Sequence, residues 1–172
     1  MLGVVPRWEP VRLGGLPAPD LGGYRCAQEE EIARTDVERR AAGYGLQPLR
    51  WPEPFPADTE WAMLAAAYAR HIGRVVAFSL AAFRQAFAGG RDLGDHDNVL
   101  IAAAACELHP AAVIKGAEMA STRRRLDEAT SAAVSAGVLT VPAVRVGAAV
   151  FHGDAELPAA AAALGAGPAE PR

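Results

Sequence analysis

Gly137-Val138-Leu139-Thr140-Val141-Pro142-Ala143-Val144-Arg145-Val146, followed shortly by Phe151-His152-Gly153-Asp154, is the stretch whose reading decides the fold. A helix stops at Gly137, and Pro142 then opens a run rich in β-branched residues. A tight turn at Gly147-Ala148 leads to a second short apolar run, so Pro142–Val146 and Ala149–Phe151 read as a hairpin. Proline has no N–H to give to a sheet ladder, so at the mouth of a strand it marks an edge or a special backbone geometry. On local grounds the Val141–Pro142 bond is expected trans, because only about 5% of X–Pro bonds are cis.

Working outward, the chain alternates short strand-like runs with helices. Trp8–Leu13 reads as a short strand, and a Gly/Pro loop follows. Cys26–Ala42 reads as a helix with acids in its first turns, where the helix dipole favours them, and it ends at Gly43. Leu46–Pro56 is proline-rich and must be an extended connector.

A helical block comes next. Asp58 or Thr59 can cap a helix with Trp61, Leu64, Tyr68 and Ile72 on its apolar face. A second helix carries Val76, Leu80, Phe83 and Phe87 at spacings of four, three and four. Asp95 can cap a third, with Ile101, Ala105 and Leu108 inward, and Pro110 suits the first turn of a fourth. A fifth, Ser121–Ala136, places Leu126, Ala129, Ala133 and Val134 on one face. A last helix is expected over Ala155–Leu164.

The expected fold class is α/β: an incomplete sheet of about three strands, split by a large helical insertion. Residues 1–57 and 138–165 would form the sheet-bearing part, 58–137 the inserted helices, and 166–172 a flexible tail.

Composition narrows the function classes. Of 172 residues, 51% are hydrophobic and 22% charged, which suits a globular domain with a real core. Net charge is −3, so no global electrostatic attraction to nucleic acid or an anionic membrane is expected. Arg123-Arg124-Arg125 is followed at once by Asp127 and Glu128 and reads as a solvated face. No apolar run reaches the length of a membrane span, the N-terminus lacks a signal-peptide pattern, and a cytoplasmic location is expected.

Cys26 and Cys106 form no C-x-x-C pair and are expected as free thiols. Cys26 near a helix start is a weak substitute for a nucleophile. Asp92, Asp95, His96 and Asp97 crowd one loop, but their spacing fits no EF-hand, so no metal is expected. His71, His109 and His152 share no zinc spacing. His152 is either a half-exposed strand-end residue or, beside Pro142, a proton shuttle. No G-x-S-x-G elbow or P-loop is present.

This order of motifs resembles the DsbA-like branch of the thioredoxin superfamily, in particular the 2-hydroxychromene-2-carboxylate isomerases and kappa-class glutathione transferases. The matching segments are Pro10–Gly15, Val37–Arg40, Gly43–Leu46, Trp51–Pro56, Phe83–Phe87, Gly90–Leu93, Gly137-Val138, Val141-Pro142 and Phe151–Asp154.

The resemblance implies a thioredoxin-like sheet, a cis Val141–Pro142 bond, and a thiol-dependent oxidoreductase or isomerase acting on a small molecule. It implies that Val141 pairs its main chain with glutathione or another low-molecular-weight thiol, like an added strand. It places Pro142, Gly153 and Asp154 at the same site, with Asp154 holding an ammonium; by its position Asp154 also reads as a helix cap, and both roles are compatible.

The pattern also departs from the family. The family's first strand, ending in Ser or Cys at the mouth of a helix, has no counterpart upstream of Trp8, so no catalytic residue is assigned. Leu16-Pro17-Ala18-Pro19-Asp20 stands where the family carries an Asn and a basic residue that help hold glutathione. The alternative expectation is therefore an inactive or truncated relative serving as an interaction or scaffold protein. A bare sheet edge would then favour a homodimer.

Overall fold

The computed structural model describes residues 4–18 and 26–165. The expected tail over 166–172 lies outside them, as do Pro19 and Asp20 of the loop noted above. Among the described residues seven α-helices and two strands follow one another: α1 (Ala27–Gly43), α2 (Glu60–His71), α3 (Val75–Phe83), α4 (His96–Ala105), α5 (Pro110–Glu118), α6 (Ala120–Ser135), β1 (Ala143–Val146), β2 (Ala149–His152) and α7 (Leu157–Gly165).

Helix α2 is the hub and packs on α3, α4, α5 and α6. Its inward face is largely alanine: Ala62, Ala65, Ala66 and Ala69 lie in the main core with Phe78, Val99, Ala102 and Val113. Small side chains let backbones approach closely, which gives the alanine-rich composition a packing purpose. A second cluster joins Leu64, Ala67, Ala117 and Leu126 between α2, α5 and α6.

The helix ends follow their local chemistry. The Asp58 carboxylate accepts from the Glu60 N–H, and that of Asp95 from the Asp97 N–H. Pro110 stands at the first turn of α5, with His109 Nδ1 accepting from the Ala111 N–H. A π-helical turn over Arg84–Ala88 extends α3 to Gly89 and Gly90.

Several expected faces are corrected. On α3 it is Val75, Phe78 and Ala82 that point inward, while Val76, Leu80 and Phe83 are 40%, 41% and 52% exposed. This helix is apolar on every side, so spacing alone fits more than one face. Ile72 and Ile101 are also exposed, and α6 buries Thr122, Leu126 and Thr130 rather than Val134.

The expected strand Trp8–Leu13 does not form either; the described residues carry a two-stranded sheet. Pro10 has no N–H to offer a ladder, and Arg12 is drawn elsewhere. Its N–H donates to Thr130 Oγ1 on α6 (3.0 Å), and its guanidinium pairs with Glu60 and Asp127. The segment thus straps across α6 and α2. It lies close enough that a Cβ at Gly15 would sit 2.7 Å from Thr130 Cγ2.

Candidate functional site

Just past the end of α6 the chain turns at Gly137, whose φ of +88° suits glycine, and the Val138 N–H returns to the Ala133 carbonyl. Val138 is buried, but Leu139 and Val141 emerge at 50% and 36% exposure. The Leu139 peptide is held from both sides. Its carbonyl accepts from the Ala18 N–H (2.9 Å), and its N–H donates to His152 Nε2 (3.1 Å). The Val141–Pro142 peptide is cis.

β1 and β2 pair antiparallel, Ala143 opposite His152 through Val146 opposite Ala149. Gly147 at φ +60° opens the two-residue turn. Ala148 is not among the positive-φ residues, which is the pattern of a II′ hairpin. The Gly153 N–H donates to the Pro142 carbonyl at 2.8 Å. Hydrogen-bonded pairs alternate with non-bonded ones along an antiparallel ladder. Pairs 142/153, 144/151 and 146/149 are therefore the bonded ones. The main-chain groups of Ala143 and Arg145 face the other way, to an edge that no described strand covers. Val141 stands at the mouth of that edge, and α7 packs on both strands.

Asp154 is placed by long-range contacts. Its carboxylate accepts from Arg40 Nη1 (2.6 Å) and from the Tyr44 hydroxyl (3.3 Å), both at the end of α1. It does not cap α7; its carbonyl, not its carboxylate, accepts from the Leu157 N–H. Val141, Pro142, Gly153 and Asp154 thus lie along one short stretch of hairpin and turn. Arg40 and Tyr44 fall in the family-like segments Val37–Arg40 and Gly43–Leu46, but nothing in the sequence tied them to Asp154, from which they stand 114 and 110 positions away.

The other candidates fall into structural roles. Cys106 is buried, its thiol donating to the Ala102 and Ala103 carbonyls, and desolvation pushes its pKa up. Such a thiol is poorly nucleophilic. Cys26 is exposed at the start of α1, a different element from the hairpin. Asp95 caps α4, His96 stacks on Trp61 with ring centroids 4.2 Å apart, and the Asp92 carboxylate accepts from the Gly94 N–H. Arg123 and Arg124 pair with Glu60 and Glu128. Open depressions among the described residues include one along α1 beside Trp51 and one between Arg12 and α6; Val141 lines neither of these.

A family model described as the DSBA-like thioredoxin domain matches residues 3–165. The chain belongs to that family. This DSBA-like protein is also similar to a solved structure, that of a 2-hydroxychromene-2-carboxylate isomerase. The TM-score is 0.77 at 18% identity, over 91% of this chain and 77% of the isomerase chain. At that identity the likeness concerns the fold: a thioredoxin-like domain with a helical insertion, here carrying two described strands. No curated protein sequence matches the chain. Among the described residues no helix of the DSBA-like chain is long and apolar enough to cross a membrane.

Proposed function

We propose that this DSBA-like protein binds a low-molecular-weight thiol such as glutathione and uses it in a thiol-dependent redox or isomerisation step on a small molecule. The observation that carries the reading is the uncovered edge of β1, entered through the exposed Val141. A γ-glutamyl tripeptide carries an extended backbone, and such a backbone adds to an open edge through main-chain hydrogen bonds. Asp154 spends two acceptor positions on Arg40 and Tyr44, and a carboxylate has about four, which leaves room for a ligand ammonium. Pro142 and Gly153 would shape the edge rather than contact the thiol chemically. A thiol-rich cytoplasmic setting suits this reading.

A second reading rests on α3. Its outer stripe of Val76, Leu80 and Phe83 is apolar and exposed, as is Ile72 at the end of α2, and neither free cysteine lies on the hairpin that carries Val141. A non-catalytic interaction protein, self-associating as a homodimer, fits both points.

Calorimetric titration with glutathione separates the two. Heat at millimolar thiol, with amide shifts centred on Val141 and Ala143 in the NMR spectrum, supports the thiol reading. Absence of heat together with a dimeric mass in solution supports the interaction reading.

A further inference from the structure

We infer that His152 is a positioning residue that clamps the segment leading to Val141 and lets it go when its ring is protonated. The ligand consequence rests on the thiol-binding reading; the clamp itself does not.

The Leu139 amide lies two residues before Val141 and donates to His152 Nε2 at 3.1 Å. His152 belongs to β2, opposite Ala143, and its own N–H donates to Glu156 Oε2 at 2.5 Å. The histidine therefore ties the approach to Val141 to the far strand of the hairpin. An imidazole nitrogen accepts a hydrogen bond only while it carries no proton. With Nε2 accepting, the neutral ring holds its proton on Nδ1. A second proton turns Nε2 into a donor facing another donor, and the bond to Leu139 is lost.

The charged groups around the ring can be named by element. β1 contributes Arg145, on the same face of the hairpin by strand alternation, and the turn after β2 contributes Asp154 and Glu156. The Asp154 carboxylate is shared with Arg40, whereas that of Glu156 already touches the His152 backbone. Residues 137–142 and helix α7 carry no charge. A protonated ring thus exchanges the Leu139 amide for a nearby carboxylate, which makes the element two-state. The neutral ring holds Leu139, and with it Val141, in place. The charged ring releases that amide, leaving the Leu139 peptide held on one side by the Ala18 N–H.

The test uses the full chain labelled with 15N, from about pH 8 to about pH 5.5, the range in which histidines commonly titrate. The Leu139 amide should shift and lose exchange protection along the same curve as the His152 ring protons, and Val141 should follow. In His152→Gln the side-chain oxygen can accept at every pH, so protection stays and the pH response vanishes. In His152→Phe the Leu139 amide is unprotected throughout. A Leu139 amide that does not titrate with His152, or an unchanged response in His152→Gln, overturns the clamp.

The coupling to binding is read separately with S-methylglutathione, whose thioether does not titrate. Its affinity should fall about fivefold on acidification, the worth of one hydrogen bond, in the wild type and not in His152→Gln. A pH-independent affinity in the wild type overturns the coupling. No binding at any pH refutes the thiol reading, while the Leu139 titration still decides the clamp.

Discussion

Gly116→Ala should destabilise the protein, although alanine is the better helix former. Gly116 sits in α5 where that helix crosses α2, directly against the Tyr68 ring. A Cβ added there would come within 2.5 Å of Tyr68 Cγ and Cε2, and closer still to Cδ2. These are ring carbons of a half-buried side chain, so they cannot swing aside as the tip of a lysine would. Flanking Val113 and Ala117 are buried, and α2 is held from its other sides by α3, α4 and α6. The Gly116 carbonyl also accepts the Thr122 hydroxyl at 2.6 Å, so a shift of α5 strains the start of α6.

Overpacking of this kind costs about 1–3 kcal/mol. Replacing glycine in a helix interior returns up to about 1 kcal/mol. The net loss is about 1–2 kcal/mol, or a fall in Tm of roughly 2–8 °C for a chain of this size. Urea and thermal unfolding would measure it. Gly43→Ala, at the end of α1 with nothing near the added carbon, serves as a control and should be neutral or slightly stabilising. If Gly116→Ala raised Tm as much as a free helical site does, the close α2–α5 crossing would be wrong.

Three further outcomes are expected. Glu60 is held below the ordinary carboxylate range by the hydrogen bond from Arg12, opposed by desolvation and aided by Arg123. A carboxylate depressed in the folded state stabilises it above the unfolded pKa, and this support is lost as pH falls below the ordinary carboxylate range. Arg12→Met should therefore flatten the acid limb of stability against pH, an effect of at most about 1 kcal/mol because the pair is half-exposed. Thr130→Val should cost about 1–3 kcal/mol in urea unfolding, since the Arg12 N–H loses its acceptor; an unchanged midpoint would remove the strap across α6. An aromatic disulfide reagent should label Cys26 at once and Cys106 only on unfolding, and two fast thiols in the native protein would contradict the burial of Cys106.

The hairpin was legible because its signals are local. Alternating β-branched residues, a glycine at the turn and a glycine stopping α6 each act within a few positions. The caps at Asp95 and Pro110 were readable for the same reason. The inward face of α3 was not, since a helix without charged residues offers no contrast between its sides. The strap formed by Trp8–Leu13 was hidden because its partner, Thr130, lies 118 residues from Arg12 and only the folded chain brings them together. Asp154 looked like a cap from its neighbours. Its true partners sit at the end of α1, and nothing local encodes that meeting. The family came from the order of many weak motifs, whereas the surroundings of Val141 needed coordinates.

Among the described residues, α1 makes no extensive contact with another helix or strand. Side-chain tips attach it: Arg34 lies 5.0 Å over the Trp51 ring, Glu38 takes the Trp51 indole N–H, and Arg40 grips Asp154. Such an attachment opens at low free energy without global unfolding. The docking equilibrium of a remote helix therefore sets the fraction of molecules whose Asp154 turn is held and, on the proposed thiol-binding reading, the apparent affinity of the neighbouring edge for its ligand. Substitutions at the Trp51 indole or beneath it become a rheostat for that edge, adjustable without altering any atom a ligand would meet.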